Sequence, residues 1–183
     1  GDKRWHRLFL QTTALRDPKT ELYVWKKHRQ NDAAWIYSRL EPDAVDQPLQ
    51  SNCRNAILRE ADSRMRTSQK AGFRWTKHEW APAMWGAFTA PDAVEICRAH
   101  ALTGDQKYLR TAILVCQTGL GANPLNLCYT TGMGHRSPRH PLHIDSRLTD
   151  QPPPPGLTIA GPIDRARGKK EWGQKLADQV LFP

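Results

Sequence analysis

From Leu49 to Lys70, the apolar residues Cys53, Ile57, Leu58, Ala61 and Met65 recur at spacings of one to four, as one face of a helix requires. The same mode governs most of the chain. Lys3 to Arg16 carries a partial stripe in Trp5, Leu8, Phe9 and Leu15, and "AAWIYSRL" continues it from Ala33. Asp105 opens another helix, in which Leu109, Ala112, Ile113 and Cys116 share a face and which Gly119 and Gly121 close. In "TAPDAVEICRAHALTG", Thr89 and Asp92 approximate a capping box, Pro91 suits a first turn and Gly104 an end. Val94, Cys97 and Ala101 are then expected to face inward together. Trp172, Leu176 and Val180 mark a last helix, and no alternating strand of useful length is present. The expectation is an all-α chain, one domain over residues 1–183, with two irregular zones from Ala71 to Ala83 and from Gly119 to Pro162.

Composition excludes some partners and leaves others open. No run approaches the ~18 apolar residues of a membrane span. The start has no signal-peptide pattern, and a first residue of Gly reads as a processed chain or an excised piece. Lys and Arg outnumber Asp and Glu by 27 to 18, a net charge of +9 that raises nucleic acid as a partner. The charges are dispersed rather than blocked, which favours a solvated basic surface. Cysteines at 53, 97, 116 and 128 form no C-x-x-C pair, so zinc-finger spacing is absent and the compartment cannot be read from them.

Two stretches concentrate reactive side chains. "WTKHEWAPAMW" brings Trp75, Trp80 and Trp85 together with His78 and Glu79. Indole faces pack against the C–H faces of sugars and equally well in a core, but a cluster on a loop points towards a site. "GANPLNLCYTTGMGHRSPRHPLHIDSR", Gly121 to Arg147, holds His135, His140, His143, Asp145 and three arginines with little periodicity. Three histidines invite a metal, yet His140 and His143 lie in proline-broken chain and match no H-E-x-x-H motif, so no metal and no cofactor is expected. Side chains gripping hydroxyls fit the pattern better. "QPPPPG", Gln151 to Gly156, is expected to be a rigid loop across one end of a helical scaffold, because hydrophobic chain resumes at "GLTIAGP".

These stretches resemble glycoside hydrolase family 9. The long loop is similar to that family's N-P-L-x-x-S-Y-V-T-G-x-G followed by P-H-H-R, and "AGFRWTKHEWAPAMWGAF", "PDAVEICRAHALTGDQKYLRTAILVCQTGLGANP" and "PPPPGLTIAGP" resemble its surroundings. The likeness runs from about Ala33 to Pro183. It implies part of an (α/α)6 barrel with long irregular active-site loops, and inverting hydrolysis of β-linked glycans, cellulose-derived or amino-sugar. It also implies a secreted or periplasmic setting, with some cytoplasmic members.

The departures narrow this. P-H-H-R becomes Pro141-Leu142-His143-Ile144, so only His143 keeps its place. Inversion needs a carboxylic acid and a carboxylate that activates water. The family carries its carboxylates in D-A-G-D-like and N-E-like motifs. This chain ends at "LADQVLFP" without such a Glu, and Asp43-Ala-Val-Asp46 reads as a solvated turn. The catalytic residues are therefore unassigned, and the chain reads as an incomplete domain, inactive alone. Its expected substrate contacts are His143, Asp145, Arg147, His140, Tyr129, Trp80, Trp85 and His78, with Thr131 and Gly132 shaping the loop. Asp145 would meet either the sugar or the His143 ring. The implied partners are an oligosaccharide or polysaccharide, and the rest of a catalytic domain or a second chain covering apolar faces such as that of Asp92 to Leu102. A non-catalytic glycan-binding or assembly module on the same scaffold is the alternative.

Overall fold

The computed structural model describes residues 3–76, 92–123, 126–139, 141 and 143–159. Six α-helices carry it: α1 (Lys3–Thr12), α2 (Asn31–Tyr37), α3 (Gln47–Lys70), α4 (Val94–Thr103), α5 (Gln106–Gly119) and α6 (Ile144–Thr149). A short antiparallel hairpin, β1 (Tyr23–Val24) with β2 (His28–Arg29), pairs Tyr23 with Arg29 and Val24 with His28. The expected last helix around Trp172 lies outside the described residues. No described helix is long and apolar enough to cross a membrane.

The chain divides into two compact units, Gly1–Met65 with Val94–Leu109, and Arg66–Ala93 with Arg110–Pro183. In the first, Leu15, Leu22, Ala34, Tyr37, Leu49, Cys53, Ala56 and Ile57 form one buried cluster, with Phe9, Leu10, Trp35, Val45 and Leu102 packed on it. Helix α3 supplies half of it, in Leu49, Cys53, Ala56 and Ile57. Asp46 starts that helix: its Oδ1 accepts the Leu49 N–H at 2.8 Å. The helix edge is then tied to neighbouring carbonyls, Asn52 to Leu15 at 3.1 Å and Arg59 to Thr20 at 2.9 Å.

Three stripe assignments change. Helix α1 ends at Thr12, and Thr13 caps a separate 3-10 turn, Ala14–Arg16, that buries Leu15. Trp5 and Leu8 stay exposed while Phe9 and Leu10 pack inward. On α4, Val94, Cys97 and Ala101 face out, and Glu95, Ile96 and Ala99 are buried instead. On α5 the buried line is Tyr108, Ala112, Val115 and Thr118, leaving Leu109 and Ile113 exposed and Cys116 part-buried. Both helices are apolar on more than one side, so periodicity gives the helix but not the side that a neighbour covers.

Candidate functional site

The second unit is built around the segment after α5. Asn123, 6% exposed, turns its side chain back into that segment. Its Nδ2 donates to the carbonyls of Thr118 at 2.7 Å and Leu127 at 2.8 Å, and its Oδ1 accepts the Leu127 N–H at 3.4 Å. This closes the turn that the Asn-Pro dipeptide announces. The chain then runs antiparallel to the proline-rich segment. Tyr129 O accepts from Ile159 N at 2.8 Å, Thr131 N donates to Leu157 O at 2.9 Å, and Thr130 bridges Thr158.

Thr131, 1% exposed, uses its hydroxyl twice. It donates to Pro154 O at 2.6 Å and accepts from Leu157 N at 3.0 Å. Gly132 follows at φ +68°, where an added Cβ would lie 2.8 Å from Pro155 Cβ. The proline run and the residues after it thus form a strap, bonded to residues 129–131 and packed close on Gly132. Tyr129 is buried with Leu127 and Ile159, and burial pushes its hydroxyl above the ordinary tyrosine range. Its ring sits in the packing beneath the loop.

His143 is half-buried and stands before the short helix α6. Its Nδ1 accepts the Ser146 N–H at 3.3 Å and lies 2.7 Å from Ser146 Oγ. An accepting Nδ1 carries no hydrogen, so the ring's N–H is at Nε2. Ser146, not Asp145, is therefore the partner of the ring. Asp145 and Arg147 are exposed on α6, where Arg147 N donates to His143 O at 3.1 Å and Asp145 O accepts from Thr149 Oγ1 at 2.7 Å. His143, Asp145 and Arg147 are thus gathered on one turn of chain, and Tyr129 and Thr131 lie in the segment that the strap bonds. His140, His78, Trp80 and Trp85 lie outside the described residues.

The described ends of the tryptophan-bearing segment are held together. Asp92 N donates to the buried Thr76 Oγ1 at 3.2 Å. Before them, Phe73 and Arg74 adopt positive φ of 56° and 60°. The Thr118 hydroxyl donates to Phe73 O, and Ser68 Oγ to Arg74 O at 3.1 Å. Sequence reasoning missed Asn123 and Thr76 as organising residues. The Asn-Pro turn signal was available for the first, and nothing local marks the second.

In the first unit, the Asp43–Asp46 turn is a 3-10 turn, Pro42–Ala44, with both aspartates exposed. Asp46 is occupied as the α3 cap, and its N–H donates to Tyr37 Oη at 2.9 Å. Tyr37 Oη in turn meets His6 Nε2 at 2.9 Å. Trp5, His6, Phe9, Tyr37, Asp43 and Asp46 line an open groove of about 1220 Å3. Among the described residues, no group of three His, Cys, Asp or Glu could hold a metal ion.

The mostly helical chain matches solved structures that are (α/α)6 barrels. The chain belongs to glycosyl hydrolase family 9, whose family model matches residues 9–178. It is 28% identical over 134 residues to the xyloglucan-specific endo-β-1,4-glucanase BoGH9A of Bacteroides ovatus, a match covering 70% of this chain and 23% of that protein. Among solved structures, it resembles AaCel9A in complex with cellobiose-like isofagomine, at 25% identity and a TM-score of 0.69 over 93% of this chain and 33% of that one. A metagenome-derived family 9 endoglucanase shares its fold at 24% identity and a TM-score of 0.71, over 88% of this chain and 29% of that one. The chain therefore spans about a quarter of the curated relative and about a third or less of these structures.

Proposed function

We propose that this chain is part of an inverting β-glycan hydrolase and supplies substrate-binding loops rather than the reacting carboxylates. The carrying observation is the family match across residues 9–178 together with the order of the loop it includes. Hydrogen bonds of Asn123 to the Thr118 and Leu127 carbonyls, and of Thr131 to Pro154 and Leu157, tie the described residues 126–131 to α5 and to the strap, which supports the preorganisation that sugar recognition needs. His143 Nε2–H, Asp145 and Arg147 then offer a donor, an acceptor and a cation to sugar hydroxyls from one turn of chain. The tryptophans at 80 and 85, with His78 and His140, complete the contacts in this reading.

Inversion requires an acid and a base on opposite sides of the scissile bond. Asp46 is a poor candidate for either, because its carboxylate caps α3. In this reading, further helices of the same catalytic domain bring the pair and cover the exposed sides of α4 and α5. A xyloglucan-specific enzyme and a protein seen with a cellobiose-like ligand lie among the relatives, so β-1,4-glucans are the first substrates to try.

The test is calorimetric binding of cello- and xyloglucan oligosaccharides by the purified chain, alongside an assay for released sugar. Binding that changes little with salt, without sustained turnover, supports the proposal. Turnover that disappears in Asp43→Asn or Asp46→Asn would show that the first unit holds a reacting carboxylate. Absence of sugar binding, with nucleic-acid binding that falls steeply as salt rises, would replace the glycan reading.

A further inference from the structure

Three buried side-chain atoms lack a hydrogen-bond partner among the described residues: Glu95 Oε2, Asn31 Oδ1 and His28 Nδ1. Two of them belong to side chains that already touch. Asn31 Nδ2 donates to Glu95 Oε1 at 3.1 Å, joining the start of α2 to the start of α4 across 64 residues of sequence. Glu95 is only 7% exposed. If its carboxyl is ionised, both orphans are acceptors, and each is stranded away from water at a cost. A carboxyl and a primary amide have one arrangement that satisfies all four atoms. The amide N–H donates to one carboxyl oxygen, and a proton on the other oxygen donates back to the amide carbonyl. Rotating the Asn31 amide would instead set its oxygen against Glu95 Oε1, so the observed orientation is the one this ring requires.

We propose that Glu95, in its protonated form, closes a two-hydrogen-bond ring with the Asn31 amide, a proton-dependent latch between α2 and α4.

The charges around it set the contest. Arg98, one turn along α4, places Nη1 3.0 Å from Glu95 Oε1 and favours the ionised form. That guanidinium is shared, because its Nη2 also meets the exposed Asp32 of α2 at 2.5 Å. It further lies over the Trp35 ring at 5.6 Å. Asp32, with Arg29 of β2 also near it, is held below the ordinary carboxylate range, chiefly by its hydrogen bond to Arg98. From α3, Glu60 adds a negative charge that disfavours a second one, although Arg64 pairs with it at 2.7 Å. Burial outweighs Asn31 and Arg98 and pushes Glu95 above the ordinary carboxylate range.

A proton bound more tightly in the folded chain stabilises it most at pH values below the unfolded carboxyl's midpoint. That contribution is lost as pH rises through the folded midpoint. The latch is closed in acid and weakens towards neutral and alkaline pH.

The experiment follows the Glu95 side-chain carboxyl carbon by NMR during a pH titration of the full chain, assigned through its own backbone. In parallel, the pH dependence of Tm is compared between wild type and Glu95→Gln, whose amide N–H2 can take the place of the proton. The expected result is a carboxyl that titrates above the ordinary glutamate range. Relative to Glu95→Gln, the wild-type Tm should fall as pH rises. A carboxyl that titrates at or below the ordinary range would overturn the latch. So would a wild-type Tm that rises relative to Glu95→Gln as pH rises, since both results describe an ionised Glu95 paired with Arg98. If Glu95→Gln fails to fold, the wild-type titration decides alone.

Discussion

Asn123→Ala removes the three hydrogen bonds described for its side chain at a site only 6% exposed. The Thr118 and Leu127 carbonyls lose their amide donor, and the Leu127 N–H loses a long contact at 3.4 Å. A stranded buried polar group costs about 1–3 kcal/mol, and these losses share one residue, so they do not simply add. Taking the two short bonds as dominant, the expected destabilisation is about 3 kcal/mol. In a chain of this size each kcal/mol lowers Tm by about 2–4 °C, so calorimetry should read a fall of about 6–12 °C. Asn123→Asp sharpens the test. It keeps an acceptor for Leu127 N–H but aims a carboxylate at two carbonyl oxygens. At neutral pH it should be worse than alanine, and the gap should shrink in acid as the carboxyl gains a proton to donate. Hydrogen exchange should quicken first at Leu127 and Tyr129. An Asn123→Ala chain within about 0.5 kcal/mol of wild type, the range of ordinary surface changes, would refute the claim that this side chain closes the turn.

Gly132→Ala should cost about 1–2 kcal/mol for its left-handed backbone and more for the overlap with Pro155, whereas Gly104→Ala, at φ +70° in open space, should pay the backbone cost alone. Chemical denaturation of both isolates the strap contact, and equal losses would count against it. His143→Ala should loosen α6 by about 0.5–2 kcal/mol while His143→Asn keeps the cap, read as amide exchange at Ser146 and Arg147. Indistinguishable exchange in the two variants would remove the capping role. Burial pushes the Cys53 thiol up to about 12, so it stays protonated in mildly alkaline buffer, while Cys97 is exposed. An alkylating reagent followed by mass spectrometry should mark Cys97 in the native chain and Cys53 only after unfolding.

Helix existence was legible because it is local. The stripe from Leu49 to Lys70 needed no partner to be recognised, and it became α3 with only its first residues misplaced. The family was legible because the "GANPLNLCYTTGMG" loop and its neighbours keep residue types whose spacing is rare by chance, and the family match agrees. The proline run marked where the chain would stiffen, and the unread Asn-Pro signal marked the turn at Asn123, since backbone chemistry acts within a few residues.

What the tertiary structure decided was partnership. The period of α4 permits Val94, Cys97 and Ala101 on the inside as readily as Ile96 and Ala99, and the neighbouring elements selected the second set. That choice also buried Glu95 and set it against Asn31. Thr131 reads as one polar residue in a loop until Pro154 and Leu157 arrive to share its hydroxyl. His143 was legible as a residue to watch, but its tautomer follows from Ser146 three positions later once the chain turns into α6. A side chain's own chemistry fixes what it can bond. Burial and the groups brought to it from distant sequence fix what it does bond, because only there does an unmet donor or acceptor lose its alternative in water.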